Sequence, residues 1–319
     1  MSIRTDLALE MHEYLCEQAE ELSGVVLEDK TQGNLKISHV KVENPISAQK
    51  IGKPMGNYIT VETPDLRFID KNEYEKICKT VASEIKSLLK NTDNKKPILI
   101  IGLGNRSITS DSLGPSVVDR LMITRHLFSY APESVSQNLG SVCAIAPGVL
   151  GITGIETGEI IESVCMRVKP SAVICIDALA SRSIDRITKT IQICDTGISP
   201  GAGVGNNRKE ISEKTLGIPV IAIGVPTDVD AGTITHDTLN LVIDSLASHQ
   251  EAFKSLKELE EDERYGLIKA SVSEALPDFL TTPKDIDILI SKTAEVVANG
   301  INFALHKDIT FEDIEIYVS

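Results

Sequence analysis

The apolar run Pro97-Ile-Leu-Ile-Ile101 stops abruptly at Gly102-Leu-Gly104-Asn105 and is followed by Asp111-Ser-Leu-Gly-Pro115. A short Ile-rich block without polar alternation reads as a strand buried on both faces, the usual condition in a parallel sheet. Pro115 suits the first position of a helix, where the N–H that proline lacks would go unpaired anyway. Strand, glycine turn, acid and helix in that order put a carboxylate, Asp111, at the carboxyl edge of an open α/β sheet, where ligands and chemistry collect. A dinucleotide fingerprint would carry a third glycine where Ser107 stands, and a phosphate-binding loop avoids an acid. The segment reads as a hydrolytic site.

The rest of the chain extends this pattern on both sides. Upstream, a helix is expected from about Leu7. A hairpin region follows over about 23–62, with Asp29-Lys-Thr-Gln-Gly33 as its turn and Asn57–Glu62 as a further strand. Apolar residues at three-and-four spacing predict an amphipathic helix over 71–90. Downstream, the spacing predicts helices over 115–129, from Ile160 to Val168, over 235–248 and over 284–305. Strands are expected near 141–146, at Ala172–Ile176 ending in Asp177, and at Ile218–Gly224 ending in the loop Val225-Pro-Thr-Asp-Val-Asp-Ala-Gly-Thr233. Strands alternating with helices indicate an α/β fold, a mainly parallel or mixed sheet flanked by helices. The N-terminal hairpin and an insertion at about 182–214 read as additions to that layer, and 250–284 is charged and turn-rich.

At 319 residues and 42% hydrophobic, the chain can bury a substantial core as one large domain. A net charge of −14 argues against direct nucleic-acid binding, which needs a basic footprint. No stretch reaches the apolar length of a membrane span, and the N-terminus lacks the apolar core of a secretory signal. The six cysteines, 16, 78, 143, 165, 175 and 194, form no CxxC pair, which fits reduced thiols in a cytoplasmic protein. The scattered histidines offer no HExxH, and no G-x-S-x-G elbow is present, so zinc and serine catalysis have no support. No metal and no cofactor is expected.

Asp111 and Asp177 each follow an apolar block. Parallel strands would bring both to one edge, where paired carboxylates support hydrolysis. One takes a proton from water, the other gives one to the leaving group, and mutual repulsion separates their pKa values. Taken alone, each acid reads first as a cap, Asp111 as an N-cap or turn acid before the helix at 115 and Asp177 as a cap before Ala178-Leu-Ala. Glu156 ends a glycine-rich stretch, Gly148-x-x-Gly151-x-x-Gly154-x-Glu156, whose glycines permit positive φ and close approach to a substrate chain. With the two aspartates it would make an oxygen-rich cation site, and by itself it is an acid favoured at a helix N-terminus. Asp228 and Asp230 are further candidates, or residues of a solvated turn.

These motifs together resemble the germination protease family of spore-forming bacteria. The matching stretches are Ser2–Ala8, Gly52-Lys-Pro-Met-Gly-Asn-Tyr-Ile-Thr-Val-Glu62, Gly102–Asn105, Asp111–Pro115, Ala146–Thr157, Ile176–Ala180, Pro200–Asn206 and Gly224–Ile234. The resemblance implies an atypical aspartic-type endopeptidase with a phosphorylase/hydrolase-like fold, similar to that of hydrogenase maturation proteases. It further implies a homotetramer made as a zymogen in the cytoplasm of the spore core, with small acid-soluble spore proteins as substrates. The family's two proposed catalytic aspartates fall on Asp111 and Asp177. Family substrates are cut between an acid and a large apolar residue in a pattern matched by Thr5-Asp-Leu-Ala-Leu-Glu10. This places the processing site between Asp6 and Leu7, with 1–6 as propeptide and 7–319 as a single peptidase domain. Family precursors commonly carry a longer leader than the three residues preceding Arg4 here.

Two rival readings remain at this point. One is a metal-dependent maturation-type endopeptidase, with Glu156 as its extra ligand. The other is a nucleotide-binding module built on Gly102-x-Gly104, although no acid ends a second strand about 20 residues on, as ribose binding requires.

Overall fold

A computed structural model describes residues 5–17, 22–89, 92–93, 95–199, 209–235, 238–239 and 280–318. Residues 1–4, the 200–206 match, and most of the expected helix 235–248 and of segment 250–284 lie outside the described residues.

The strands are β1 (Val25–Gln32), β2 (Leu35–Val42), β3 (Gly56–Glu62), β4 (Ile98–Gly102), β5 (Val142–Ile145), β6 (Ala172–Ser181), β7 (Thr190–Cys194), β8 (Val220–Asp230) and β9 (Leu280–Thr281). They form one sheet in the order β1-β2-β3-β7-β8-β6-β4-β5, with β9 paired to β8. The half β8-β6-β4-β5 is parallel, while β1, β2, β3 and β7 pair antiparallel as far as the β7–β8 seam. The α/β expectation therefore holds as a mixed sheet flanked by helices. The 182–214 segment is no appendage, because its strand β7 joins the N-terminal hairpin to the parallel half.

Period-2 alternation divides the core between the two faces. On one face Ile100, Ile174, Ile176, Ile221 and Ile223 pack with Ile77, Val81, Val297 and Ile301 from the helices Lys71–Leu88 and Ile286–Leu305. On the other, Leu99, Ile101, Val173 and Cys175 meet Ile161 and Cys165 of the helix Thr157–Val168. A third cluster joins the helix Ala8–Glu17, through Ala8, Leu9, Tyr14 and Leu15, to Val40, Val42, Tyr58, Cys194 and Ala222.

Several sequence expectations are corrected. The hairpin turn is shorter than Asp29–Gly33: β1 runs on to Gln32, which pairs with Leu35, leaving a two-residue loop with Gly33 at φ +65°. The expected helix 115–129 is two helices, Leu113–Val118 and Arg125–Tyr130, so Pro115 is its third residue and not its first. Tertiary hydrogen bonds break the helix between them: Met122 N–H donates to Asn302 Oδ1 at 3.0 Å and Thr124 N–H to the Val142 carbonyl at 3.1 Å. The strand expected to end at Asp177 continues to Ser181, and the one expected to end at Gly224 continues to Asp230. Asp177, Asp228 and Asp230 are therefore strand residues. The reading of Asp177 as a cap before Ala178 fails, and so does a loop over 225–230.

Candidate active site

Asp111 closes the 3₁₀ turn Thr109–Asp111 in the connection that follows β4. Its Oδ2 accepts the Asn105 N–H at 2.8 Å, which folds the turn back over the glycine loop. Gly104 allows this twice over: it sits at φ +107°, and a Cβ there would lie 2.1 Å from the Asp111 carbonyl oxygen. The loop amide that would cradle a phosphate in the nucleotide-binding reading is thus held by a carboxylate. Gly114, in the helix that follows, lies so close to the sheet that a Cβ would come within 2.3 Å of the Leu103 oxygen and 2.7 Å of the Ile176 oxygen. That contact seats the Asp111 segment against β6, one residue before Asp177.

Asp177 is buried and pairs in register with Gly224 of β8. Its Oδ1 accepts the Ala178 N–H at 3.0 Å. Beyond it the β6–β8 register shifts between Leu179 and Ala180. Bulges of this kind re-aim side chains beside sites. Asp111, Asp177 and Asp228 line one cavity of about 610 Å³ together with Gly104, Gly148, Thr157, Gln192 and Lys53.

The remaining candidates divide. Gly148 is on the cavity wall, whereas Gly151, Gly154, Glu156 and Asp230 are not among its lining residues. Glu156 is the N-cap residue of the helix Thr157–Val168 and does not line the cavity with the two aspartates. Asp230 Oδ1 accepts the Thr233 N–H at 3.2 Å, the role of an N-cap for the helical residues that begin at Ala231. Among the described residues no group of three or more His, Cys, Asp or Glu side chains is placed to hold a metal ion. Cys194 also lines the cavity, and burial pushes its thiol up, away from the thiolate a nucleophile needs.

The segment Thr5–Glu10 meets this cavity at Asp6 and runs on into the helix Ala8–Glu17. Asp6 N–H donates to the Ala180 carbonyl at 2.9 Å, and Asp6 Oδ2 accepts the Ala180 N–H at 2.9 Å. The Asp6 carbonyl accepts from Lys53 Nζ at 2.9 Å and from Gln192 Nε2 at 3.2 Å. Gln192 Oε1 in turn accepts the Ala8 N–H at 2.8 Å. Leu7 and Ala8 are fully buried at 0% exposure. Glu10, also buried, accepts the Arg182 N–H at 2.7 Å and the Ser183 N–H at 3.1 Å, with the Arg186 guanidinium 3.7 Å away and the Thr5 hydroxyl donating to it. Each polar residue of the Thr-Asp-Leu-Ala-Leu-Glu pattern thus has partners of its own.

Lys53 and Gln192 carry no recognisable motif signal. Lys53 follows Gly52, the left-handed end of the helix Pro45–Ile51, inside a stretch noted only for its family match. Gln192 is the polar residue at the centre of Thr190-Ile-Gln-Ile-Cys194, and a lone amide in a buried strand was its one available sign.

The sequence profile described as germination protease matches residues 4–255 and 245–318. The chain belongs to the germination protease family. A germination protease of Clostridium tetani is 46% identical over the full length of both chains. One from Clostridium perfringens strain SM101 is 44% identical, covering 100% of this chain and 99% of the relative, and one from Bacillus cereus strain AH187 is 40% identical, covering 99% and 97%. Among solved structures, a [NiFe] hydrogenase maturation protease HycI from Thermococcus kodakarensis superposes with TM-score 0.31 at 19% identity, over 45% of this chain and 80% of that one. Family membership makes this chain a peptidase. Among its described residues no helix is long and apolar enough to cross a membrane.

Proposed function

We propose that this germination protease is an aspartic-type endopeptidase of the spore core, made as a zymogen that cuts itself between Asp6 and Leu7. Its substrates in this reading are small acid-soluble spore proteins carrying the same acid–apolar–Ala–x–Glu pattern, and its working form is a homotetramer. The observation that carries the reading is the place of Asp6 on the wall of the cavity that Asp111 and Asp177 also line, with the Asp6 carbonyl bound by two donors.

Hydrolysis needs two proton transfers. One aspartate takes a proton from water as its oxygen adds to the Asp6 carbonyl carbon. The other, protonated, gives its proton to the Leu7 nitrogen as the C–N bond breaks. Asp177 on β6 and Asp111 in the Asn105-braced turn both line the cavity, which supports these roles. Specificity follows from the same contacts: the Ala180 N–H for the acid, fully buried sites for the apolar residue and for Ala8, and two N–H groups plus Arg186 for the glutamate. A site built around a hydrogen-bonding group rejects analogues lacking it strongly.

The test is mass spectrometry of the full chain during activation, alongside Asp111→Asn and Asp177→Asn. The reading expects a new N-terminus at Leu7 in the wild type only. A first product starting anywhere else, or unimpaired processing by either variant, overturns it.

A further inference from the structure

We propose that Lys53 and Gln192 are catalytic residues, the pair of donors that takes up negative charge on the oxygen of the bond being broken. This rests on the reading that the Asp6–Leu7 bond is the one cut. Both side chains already point at the Asp6 oxygen, from Nζ at 2.9 Å and Nε2 at 3.2 Å, within or close to the range expected of donors to a developing oxyanion.

The orientation of Gln192 is dictated by chemistry. The Ala8 N–H can only donate, so the side-chain oxygen faces it and the NH₂ must face the Asp6 oxygen. Its amide therefore spans the peptide bond, one end on the carbonyl before it and the other on the amide one residue after it. Lys53 is fixed differently. It leaves the helix Pro45–Ile51 through Gly52 at φ +65° and is followed by Pro54, whose carbonyl accepts the Tyr58 hydroxyl at 2.8 Å. Among the described residues its ammonium bonds only backbone carbonyls, Asp6 at 2.9 Å and Thr5 at 3.4 Å. An ammonium spent on a carboxylate would be a structural ion pair, whereas one aimed at a peptide oxygen has charge in reserve. Burial lowers its pKa, while the nearby Asp6 and Glu10 carboxylates act to keep it protonated.

In the step itself, the water oxygen bonds to the Asp6 carbonyl carbon and its proton passes to one aspartate. The C=O π pair moves to the oxygen, where Lys53 N⁺–H and Gln192 N–H meet it. When the pair returns, the C–N bond to Leu7 breaks and the nitrogen receives a proton from the other aspartate. The donors neither gain nor lose a proton. They act because the charge they face is absent in the ground state and present in the transition state.

The test uses full-length wild type, Lys53→Met, Lys53→Arg and Gln192→Leu. It reads the first-order rate of self-cleavage, the N-terminus formed, and amide exchange at Ala8 and Leu9 before cleavage as a measure of segment docking. Losing one donor should slow cleavage about 10²–10³-fold in Lys53→Met, with Ala8 and Leu9 still protected and any product starting at Leu7. Lys53→Arg should recover part of the rate, and Gln192→Leu should slow it as well. Lys53→Met within threefold of wild type overturns the role. Loss of docking in step with loss of rate also overturns it, since Lys53 would then be an anchor. A product beginning elsewhere than Leu7 defeats the underlying reading and this inference with it, and the mass of the product separates the two failures.

Discussion

Asp111 and Asp177 reach the cavity by different routes, and those routes decide how a substitution should read. Asparagine keeps an oxygen for the Asn105 N–H that Asp111 binds and for the Ala178 N–H that Asp177 binds, so neither local fold should change. Asp111→Asn and Asp177→Asn should each lower turnover about 10²–10⁴-fold with an unchanged circular-dichroism spectrum, and a folded variant retaining half the wild-type rate removes that residue from the mechanism. A second prediction concerns His306, buried at 2% exposure and accepting the Gly140 N–H through Nδ1 at 3.1 Å. Burial pushes its pKa down from 6.5 to about 4. The unfolded chain therefore binds a proton that the folded chain refuses, and stability falls as pH drops from 6.5 toward 4. Between pH 7.5 and pH 5 the loss from this one group is about 2 kcal/mol. Urea midpoints at the two pH values should differ less in His306→Gln, and an undiminished difference would assign the effect to other groups. The two aspartates were legible in the sequence because each follows an apolar block that only a buried strand explains. Lys53 and Gln192 were not, because their meaning depends on a carbonyl 47 and 186 residues away in the chain.

Hydrophobic spacing was a faithful guide to elements wherever one face is buried throughout. The helix Lys71–Leu88, the helix Ile286–Leu305 and β4 fall where the pattern put them. It failed where tertiary contacts override local preference. Asp177 inside β6 looked like a strand end and Asp228 inside β8 like a loop residue because buried charge is rare in a sheet, yet these strands carry both into a cavity. The break at 119–124 arises from Asn302 and Val142, neither of which is near in sequence. The two long helices that did match supply a packing test. Gly300 faces Val81 so closely that a Cβ would sit 2.5 Å from Val81 Cγ1. Gly300→Ala gains helix propensity but overpacks this crossing, a conflict that costs typically about 1–3 kcal/mol. Chemical denaturation should show a net loss, and Gly300→Ala combined with Val81→Ala should recover part of it. If the double variant falls by the sum of the two single losses, the residues are not coupled and the close approach is not what limits position 300.

At the scale of the molecule, the N-terminal segment is part of the fold and of the site at once. Leu9, Tyr14 and Leu15 complete a core cluster with β2, β3, β7 and β8, while Asp6, two residues before the helix, lines the cleft and Leu7 beside it is fully buried. The helix Ala8–Glu17 thereby continues directly from Asp6 at the cavity wall of its own chain, and the Glu10 contacts with Arg182, Ser183 and Arg186 fasten its first turn. In the proposed reading the bond to be cut and its catalytic groups belong to one molecule, which makes the step unimolecular. Self-cleavage should therefore be first order, with a rate constant unchanged across a hundredfold dilution. A mass-tagged Asp177→Asn chain mixed with active wild type should remain uncut, because Leu7 and Ala8 at 0% exposure are closed to a second cleft. Leu7→Asp should stop processing even in an otherwise active chain, since a carboxylate in that dry position costs several kcal/mol unless it is paired. Mass spectrometry of the mixture decides between routes: appearance of the tagged product at a rate that scales with wild-type concentration would mean that chains cut one another and that the docked segment is a resting state.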